Sequence, residues 1–307
     1  MYDVAVIGAG PAGLAATIYC IRKGIDVLLI APTLGGKTTA TINFPEMTEY
    51  HVLKAKEQVQ VFRARIEYLA HTYRLAQVTE VADKGEHFLL TLHSHSKNHT
   101  EQISAKRLII ATGVRGEYLD IPGERKFAGR GVGASAVSYT HALKDRPIFL
   151  LGNSDRVIEA AVEASFHAAQ VYLVLEPHAD YTHQHLELAA AIDNIQIFNG
   201  YRALGFDGDD FATQIEIQRA DAPAKTIQAD AFFLEREPEP NSALVRHLVE
   251  CNERGYIRIN ERNCTSHRRI YGAGDVTTVG MEQILIALGE GARAGLSAYR
   301  HITMQET

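Results

Sequence analysis

Apolar residues along this chain fall into short runs and longer helical stripes whose alternation predicts an α/β protein. Residues 2–7 (YDVAVI) are a β-branched apolar run of strand length. LAATIYCIRK at 14–23 reads as a helix that stops near Gly24, and DVLLIA at 26–31 as a second strand, so the chain opens on a βαβ unit. The same strand, turn, helix, strand order returns at 147–177 (PIFLLG to VYLVLEP). Residues 87–110 (HFLLTLHSHSKNHTEQISAKRLII) read as a β-hairpin with His93, His95 and His99 around its turn. Residues 46–70 read as an amphipathic helix with its charges on one side, and 268–302 as a strand, a Gly-Ala-Gly-Asp turn and a helix carrying small residues.

Length and composition narrow the class. A chain of 307 residues exceeds the usual span of one hydrophobic core, so two domains are expected. Its 46% apolar and 22% charged residues are those of a globular protein rather than a disordered or fibrous one. No apolar run approaches the roughly 18 residues of a membrane span, and the N-terminus lacks a basic region followed by an apolar core, so a cytoplasmic protein is expected. A net charge of -6 leaves no basic footprint for nucleic acid and no polybasic membrane arm. The three cysteines, Cys20, Cys251 and Cys264, include no C-x-x-C pair, which argues against a disulfide framework or thiolate metal cage. The hairpin histidines have no Cys or carboxylate at ligand spacing, so no metal site is expected.

The first strand runs straight into GAGPAG at 8–13. Gly8, Gly10 and Gly13 are the three glycines such a turn needs: for the tight bend, for backbone access to a pyrophosphate, and for close helix-to-strand packing. The helix that follows offers its unpaired N–H groups and the positive end of its dipole to an anion, without a basic side chain. The second strand ends at Ala31-Pro32, where many such folds place an acid for the ribose hydroxyls.

Four segments in order, GAGPAG, LGGKTTATINFP (34–45), LIIATGVR (108–115) and GAGD (272–275), resemble the low-molecular-weight thioredoxin reductases over nearly the whole chain. The resemblance implies two Rossmann-like dinucleotide-binding domains, each a parallel βαβ sheet with an antiparallel hairpin layer, the second inserted in the first. Residues 1–115 and 243–307 would form the FAD-binding domain and 116–242 the inserted NAD(P)-domain-like one. It further implies a homodimer. Carried over residue by residue, it sets Gly8, Gly10, Ala12 and Gly13 against the FAD pyrophosphate and Gly36, Lys37 and Thr38 on the ribityl and adenine side. Asn43 matches a flavin-side asparagine, Val78 lies near the adenine, and Ala111, Thr112 and Gly113 form the ATG turn. Gly274 and Asp275 match the turn whose aspartate takes a ribityl hydroxyl, and Gln283 and Ile284 the pair that meets the flavin ring; Glu282 stands where the family commonly has arginine.

The inserted domain departs from that pattern. Counting on from Gly129–Val132, Ser135 and Ser138 occupy the positions of the family's redox cysteines, and Tyr139 that of its acidic aspartate. A serine alkoxide is inaccessible near neutral pH and forms no disulfide, so this position cannot relay electrons as a dithiol. The second nucleotide turn (Gly152, Asn153, Ser154, Asp155, Arg156) keeps one glycine, with Ser154 at the site of close backbone approach and Val157 at the packing position. Leu175, Glu176 and Pro177 replace the His-Arg-Arg cluster that holds the NADPH 2'-phosphate, and Glu176 would repel that phosphate while suiting a free ribose diol. NADPH is therefore disfavoured, leaving NADH, a second adenine nucleotide or an empty site. After the domain's last strand, Glu235 replaces a glycine and two residues are added before Pro240-Asn241.

The expected function is an FAD-dependent oxidoreductase whose flavin exchanges electrons directly with a small molecule or a redox protein such as a ferredoxin. An FAD-binding scaffold or sensor, and a disulfide reductase with its cysteines elsewhere, are the alternatives.

Overall fold

The computed structural model describes residues 1–39, 42–45, 55–69, 72–94, 98–116 and 118–304. They form two compact units, one from Met1–Thr39, Lys54–Arg115 and Glu239–Thr307, the other from Ala40–Leu53 and Gly116–Pro238. The first stretch of chain supplies β1 (Tyr2–Ile7), α1 (Pro11–Arg22), β2 (Val27–Ala31), α2 (Ala55–Tyr68), β3 (Tyr73–Leu75), β4 (Gln77–Asp83), β5 (Phe88–Ser94), β6 (His99–Ile110) and β7 (Val114–Arg115). The middle stretch supplies α3 (Glu124–Phe127), β8 (Val132–Gly133), β9 (Pro147–Ser154), α4 (Asp155–Ser165), β10 (Gln170–Asp180), α5 (His183–Ala190) and β11 (Ile195–Asn199). It continues with β12 (Arg202–Asp207), β13 (Gln214–Gln218), β14 (Lys225–Gln228) and β15 (Ala231–Leu234). The last stretch adds β16 (Glu239–Pro240), β17 (Ile270–Gly272) and α6 (Ile284–Thr303).

The first unit is built on one sheet, ordered β3-β2-β1-β6-β5-β4, with β17 also paired to β6. Strands β1, β2, β3 and β17 run parallel to β6 or to one another, while β4 and β5 are antiparallel. Residues 4–7 of β1 and the whole of β2 are unbroken apolar runs because both faces are covered. The hairpin strand β5 alternates instead, burying Phe88, Leu90 and Leu92 on one face. In α2 the buried Val59 and Ile66 lie seven residues apart with Phe62 packed between them, the spacing of one helix face. Of the helix expected over 46–70, residues 46–54 and Ala70 lie outside the described residues.

Helix α6 lies on α1 through small residues. A Cβ on Gly291 would fall 1.9 Å from the Ala12 carbonyl oxygen, and one on Gly295 2.9 Å from that of Ala16, so the two backbones nearly touch. Ala287, Ala294 and Ala298 complete the buried face.

The second unit has a parallel sheet ordered β11-β10-β9-β15-β8 and a separate antiparallel sheet, β12-β13-β14. Helix α4 buries Val157, Ile158, Ala160, Ala161 and Ala164, the 3.6-residue stripe of a helix covering a sheet. Phe232 and Phe233 point to opposite faces of β15 and are fully buried in different apolar clusters. Each unit is thus a Rossmann-like α/β fold. No helix among the described residues is long and apolar enough to cross a membrane.

Candidate functional site

In the first unit, β1 ends at Gly8, whose φ of +104° is costly for any residue with a Cβ. Space would forbid one as well, because that atom would lie 2.2 Å from the Ala111 carbonyl oxygen. Gly13 is held to glycine by the Gly8 carbonyl oxygen, 1.8 Å from its would-be Cβ. Gly10 is the opposite case: a Cβ there would point into open space. Pro11 opens α1, no side chain caps the helix and its first turn holds no acid, so the leading N–H groups remain available to an anion. This cradle fits the pyrophosphate of a dinucleotide.

Gly36, Gly274 and the Ala111–Thr112 backbone also approach this turn. A Cβ on Gly36 would come within 2.9 Å of the Gly10 Cα, which brings the 34–39 turn against the first. Thr38 Oγ1 donates to the Gly35 carbonyl at 2.6 Å and fixes that turn. Gly274, at φ +77°, sits so near Ala12 that a Cβ would lie 2.9 Å from the alanine methyl. Ala111, Thr112 and Gly113 pass over Gly8, and Asn241 holds them there: the Thr112 hydroxyl donates to the Asn241 carbonyl at 2.7 Å and the Asn241 amide to the Thr112 carbonyl at 3.0 Å. Val78 is buried in β4 opposite Leu92. Gln283 is the residue before α6 and Ile284 its first, packed at the edge of the core that holds α1. Asn43 belongs to the second unit, where its backbone pairs with Gly129 and Gly131. Ala40 and Thr41, within the LGGKTTATINFP segment, lie outside the described residues.

Lys37 joins two expectations that the sequence kept apart. Its ammonium lies 2.7 Å from Asp275 Oδ2 and 2.5 Å from Glu282 Oε2. Burial lowers the Lys37 pKa, but the two carboxylates outweigh it and the net shift is upward, so the amine stays charged at neutral pH. Asp275 is no helix cap, since α6 begins only at Ile284. The turn it sits on is held by Glu290, a residue that no motif singles out. Buried in α6, Glu290 accepts the Gly274 N–H at 2.7 Å and the Thr277 hydroxyl at 3.3 Å. Desolvation pushes its carboxyl above the ordinary range despite those donors. A short-range sequence signal for this pairing does not exist, because sixteen residues separate acceptor and donor.

In the second unit β9 ends in the corresponding turn, and its polar groups already have partners. Ser154 Oγ donates to Glu237 Oε1 at 2.8 Å, and Arg156 Nε to Glu235 Oε2 at 3.1 Å. Glu235 is 1% exposed and also accepts the Ala136 N–H at 2.6 Å. The Glu237 N–H lies 3.4 Å from Asn153 Oδ1. Asp155 faces the start of α5, accepting the Thr182 N–H at 2.8 Å. Glu176, expected to meet a ribose, accepts from Arg236 Nε at 2.9 Å.

Ser135 is half-buried and Ser138 exposed, on the stretch that follows β8. Tyr139 packs on Phe233, its ring 6.4 Å away and nearly parallel. All three cysteines are unpaired thiols. Burial pushes Cys20 up to about 12 and also raises Cys251 and Cys264, so none is a thiolate near neutral pH. No metal-binding group of three His, Cys, Asp or Glu side chains occurs among the described residues, and His95 lies outside them.

A dinucleotide cradle on one Rossmann-like sheet, with a second such unit inserted in the chain, defines the two-dinucleotide-domain flavoprotein class. The chain is 30% identical over 316 residues to an alkyl hydroperoxide reductase component from Pseudomonas aeruginosa, covering 98% of itself and 58% of that relative. It thus spans less than two thirds of the curated relatives' length. Its fold matches thioredoxin reductase from Streptococcus pyogenes with a TM-score of 0.86 at 24% identity, over 99% of each chain. Thioredoxin reductase from Giardia duodenalis matches at 0.84 and 24%, again over 99% of each. The pyridine nucleotide-disulphide oxidoreductase family model matches residues 2–291, and the chain belongs to that family of FAD-dependent oxidoreductases. Membership implies FAD and a pyridine nucleotide as the family's cofactors.

Proposed function

We propose that the chain is an FAD-dependent oxidoreductase of thioredoxin-reductase architecture that works without a redox dithiol, its flavin exchanging electrons directly with a redox protein of ferredoxin type or with a small molecule. The observation that carries this reading is the state of the thiols. Serines stand at positions 135 and 138, and each of the three cysteines is held protonated by burial. Electron relay through sulfur needs two cysteine sulfurs within bonding reach, one of them a thiolate.

Bound FAD supplies the redox chemistry itself. The chain's part is to seat it. Gly8, Gly10 and Gly13 admit the pyrophosphate, the uncapped end of α1 offers N–H donors, and Asp275 presents a carboxylate oriented by Lys37. A homodimer and NADPH-independence are parts of the same reading.

The test is anaerobic titration of the holoprotein with reduced ferredoxin, NADH and NADPH, following the oxidised flavin spectrum. Ferredoxin should bleach it, and a variant with Cys20, Cys251 and Cys264 all changed to serine should behave identically. Reduction by NADPH alone, or loss of reduction in the cysteine-free variant while it keeps its FAD, would sink the proposal.

A further inference from the structure

The two units can be superposed by register alone. In the first, Ile7 pairs with Ile110 and the Ala111 N–H donates to the Ile7 carbonyl at 2.8 Å. In the second, Leu151 pairs with Leu234 and the Glu235 N–H donates to the Leu151 carbonyl, also at 2.8 Å. The residue after Ile7 and the residue after Leu151 are both glycine, and a Cβ on Gly8 would meet the Ala111 oxygen at 2.2 Å where one on Gly152 would meet the Glu235 oxygen at 2.5 Å. Both helices start three residues further on, at Pro11 and Asp155. Glu235, Arg236 and Glu237 therefore stand where Ala111, Thr112 and Gly113 stand over the flavin cradle. By the same count Ser154 answers to Gly10 and Arg156 to Ala12.

That equivalence gives the contacts of the second turn their meaning. Over the first cradle the crossing segment carries two small residues and a glycine, leaving the phosphate space open. Over the second it carries two carboxylates and a guanidinium. Glu237 takes the hydroxyl of Ser154, at the point of closest ligand approach, and Glu235 takes Arg156 from the first turn of α4. Arg236 takes Glu176, the one acid at the ribose position. Ser154, Arg156 and Glu176 are each engaged by this segment, so an entering pyrophosphate would have to displace these contacts beside the Glu235 and Glu237 carboxylates.

We propose that the Glu235-Arg236-Glu237 segment is a built-in occupant of the second dinucleotide cradle, closing it to both NADH and NADPH. The pyridine nucleotide that family membership implies does not fit this unit. The inference deepens the proposed function, on which it rests for an electron source other than nicotinamide.

The experiment uses the FAD-loaded protein and ADP-ribose, which carries the adenylate and pyrophosphate but no electrons, with NADH and NADPH alongside, read by isothermal titration calorimetry. The wild type should show no saturable binding to any of them at millimolar concentration. The triple change Glu235→Ala, Arg236→Thr and Glu237→Gly, which gives the crossing segment the Ala-Thr-Gly sequence it has over the flavin cradle, should gain at least about tenfold in ADP-ribose affinity. Because the triple variant strips an acceptor from the Ala136 N–H, Glu237→Ala alone serves as the second variant, with a smaller gain in the same direction. Micromolar binding of NADH or NADPH by the wild type would overturn the proposal. So would opened variants that keep their FAD and circular dichroism spectrum yet bind ADP-ribose no better than wild type. Since ADP-ribose cannot reduce a flavin, these results are independent of the ferredoxin titration.

Discussion

Gly289 and Gly291 both lie in the second turn of α6, and replacing each with alanine should change stability in opposite directions. A Cβ on Gly289 meets nothing within 4 Å, so the variant gains helix propensity alone, up to about 1 kcal/mol. On Gly291 the same methyl would lie 1.9 Å from the Ala12 oxygen, where ordinary contact begins at 3.4 Å. Helices α1 and α6 must then part by more than an ångström, and overpacking of that kind costs about 1–3 kcal/mol, enough to cancel the propensity gain and more. A change of 1 kcal/mol moves the midpoint by about 2–4 °C in domains of this size class. Thermal unfolding should place Gly289→Ala about 2 °C above wild type and Gly291→Ala several degrees below it. The clash falls on the first turn of α1, beside the phosphate turn, so Gly291→Ala should also lose FAD, measured as flavin absorbance per protein. A Gly291→Ala protein as stable as wild type and fully loaded would refute the packing argument.

Three further outcomes follow from the first unit. Gly8→Ala combines a positive φ, worth about 1–2 kcal/mol, with a blocked Cβ, and should weaken FAD binding at least about tenfold in reconstitution of the apoprotein. Asp275→Asn should leave unfolding within about 1 kcal/mol of wild type, since Lys37 is half-exposed and keeps Glu282, while FAD affinity falls by more than that; equal losses in both would show that Asp275 acts only on the fold. Glu290 has a folded pKa raised above the ordinary carboxylate value of about 4.3, so its contribution to stability is full below that pH and lost as pH rises through the raised value. Glu290→Gln should flatten the midpoint-against-pH curve across that window, and an unchanged slope would count against burial as the cause.

The phosphate turns are legible in the sequence because a pyrophosphate against a helix end admits few backbone solutions, and glycine marks each. Glu176 and Glu235 are visible there too, as departures. Their partners are hidden: Arg236 lies 60 residues from Glu176, and Arg156 lies 79 residues from Glu235. Glu290 is hidden for the same reason, and α6 begins only at Ile284, beyond Gly280 at φ +74°. Glu282 looks like the loss of an arginine, whereas the structure makes it the second partner of Lys37. What the chain pattern conveys is periodicity and local turn chemistry; side-chain pairing across the sheet is set by register, which no local window contains.

Register also explains why the second turn's departures come together. A carboxylate at Glu235, 1% exposed, is tolerable only with donors around it, and one of them is Arg156, at a position where the flavin cradle has Ala12. The residues that spoil the turn for a nucleotide are thus the residues that let the fold hold its occupant. Arg156→Ala alone should destabilise by about 3–5 kcal/mol, because it leaves a buried charge short of a partner, whereas the same change made with Glu235→Ala should cost far less. A double-mutant cycle in urea should therefore give a coupling energy above about 1 kcal/mol. Additivity within about 0.5 kcal/mol would mean that the two side chains arose and act separately, and that the filling of this cradle is an accident of neighbouring surface charges.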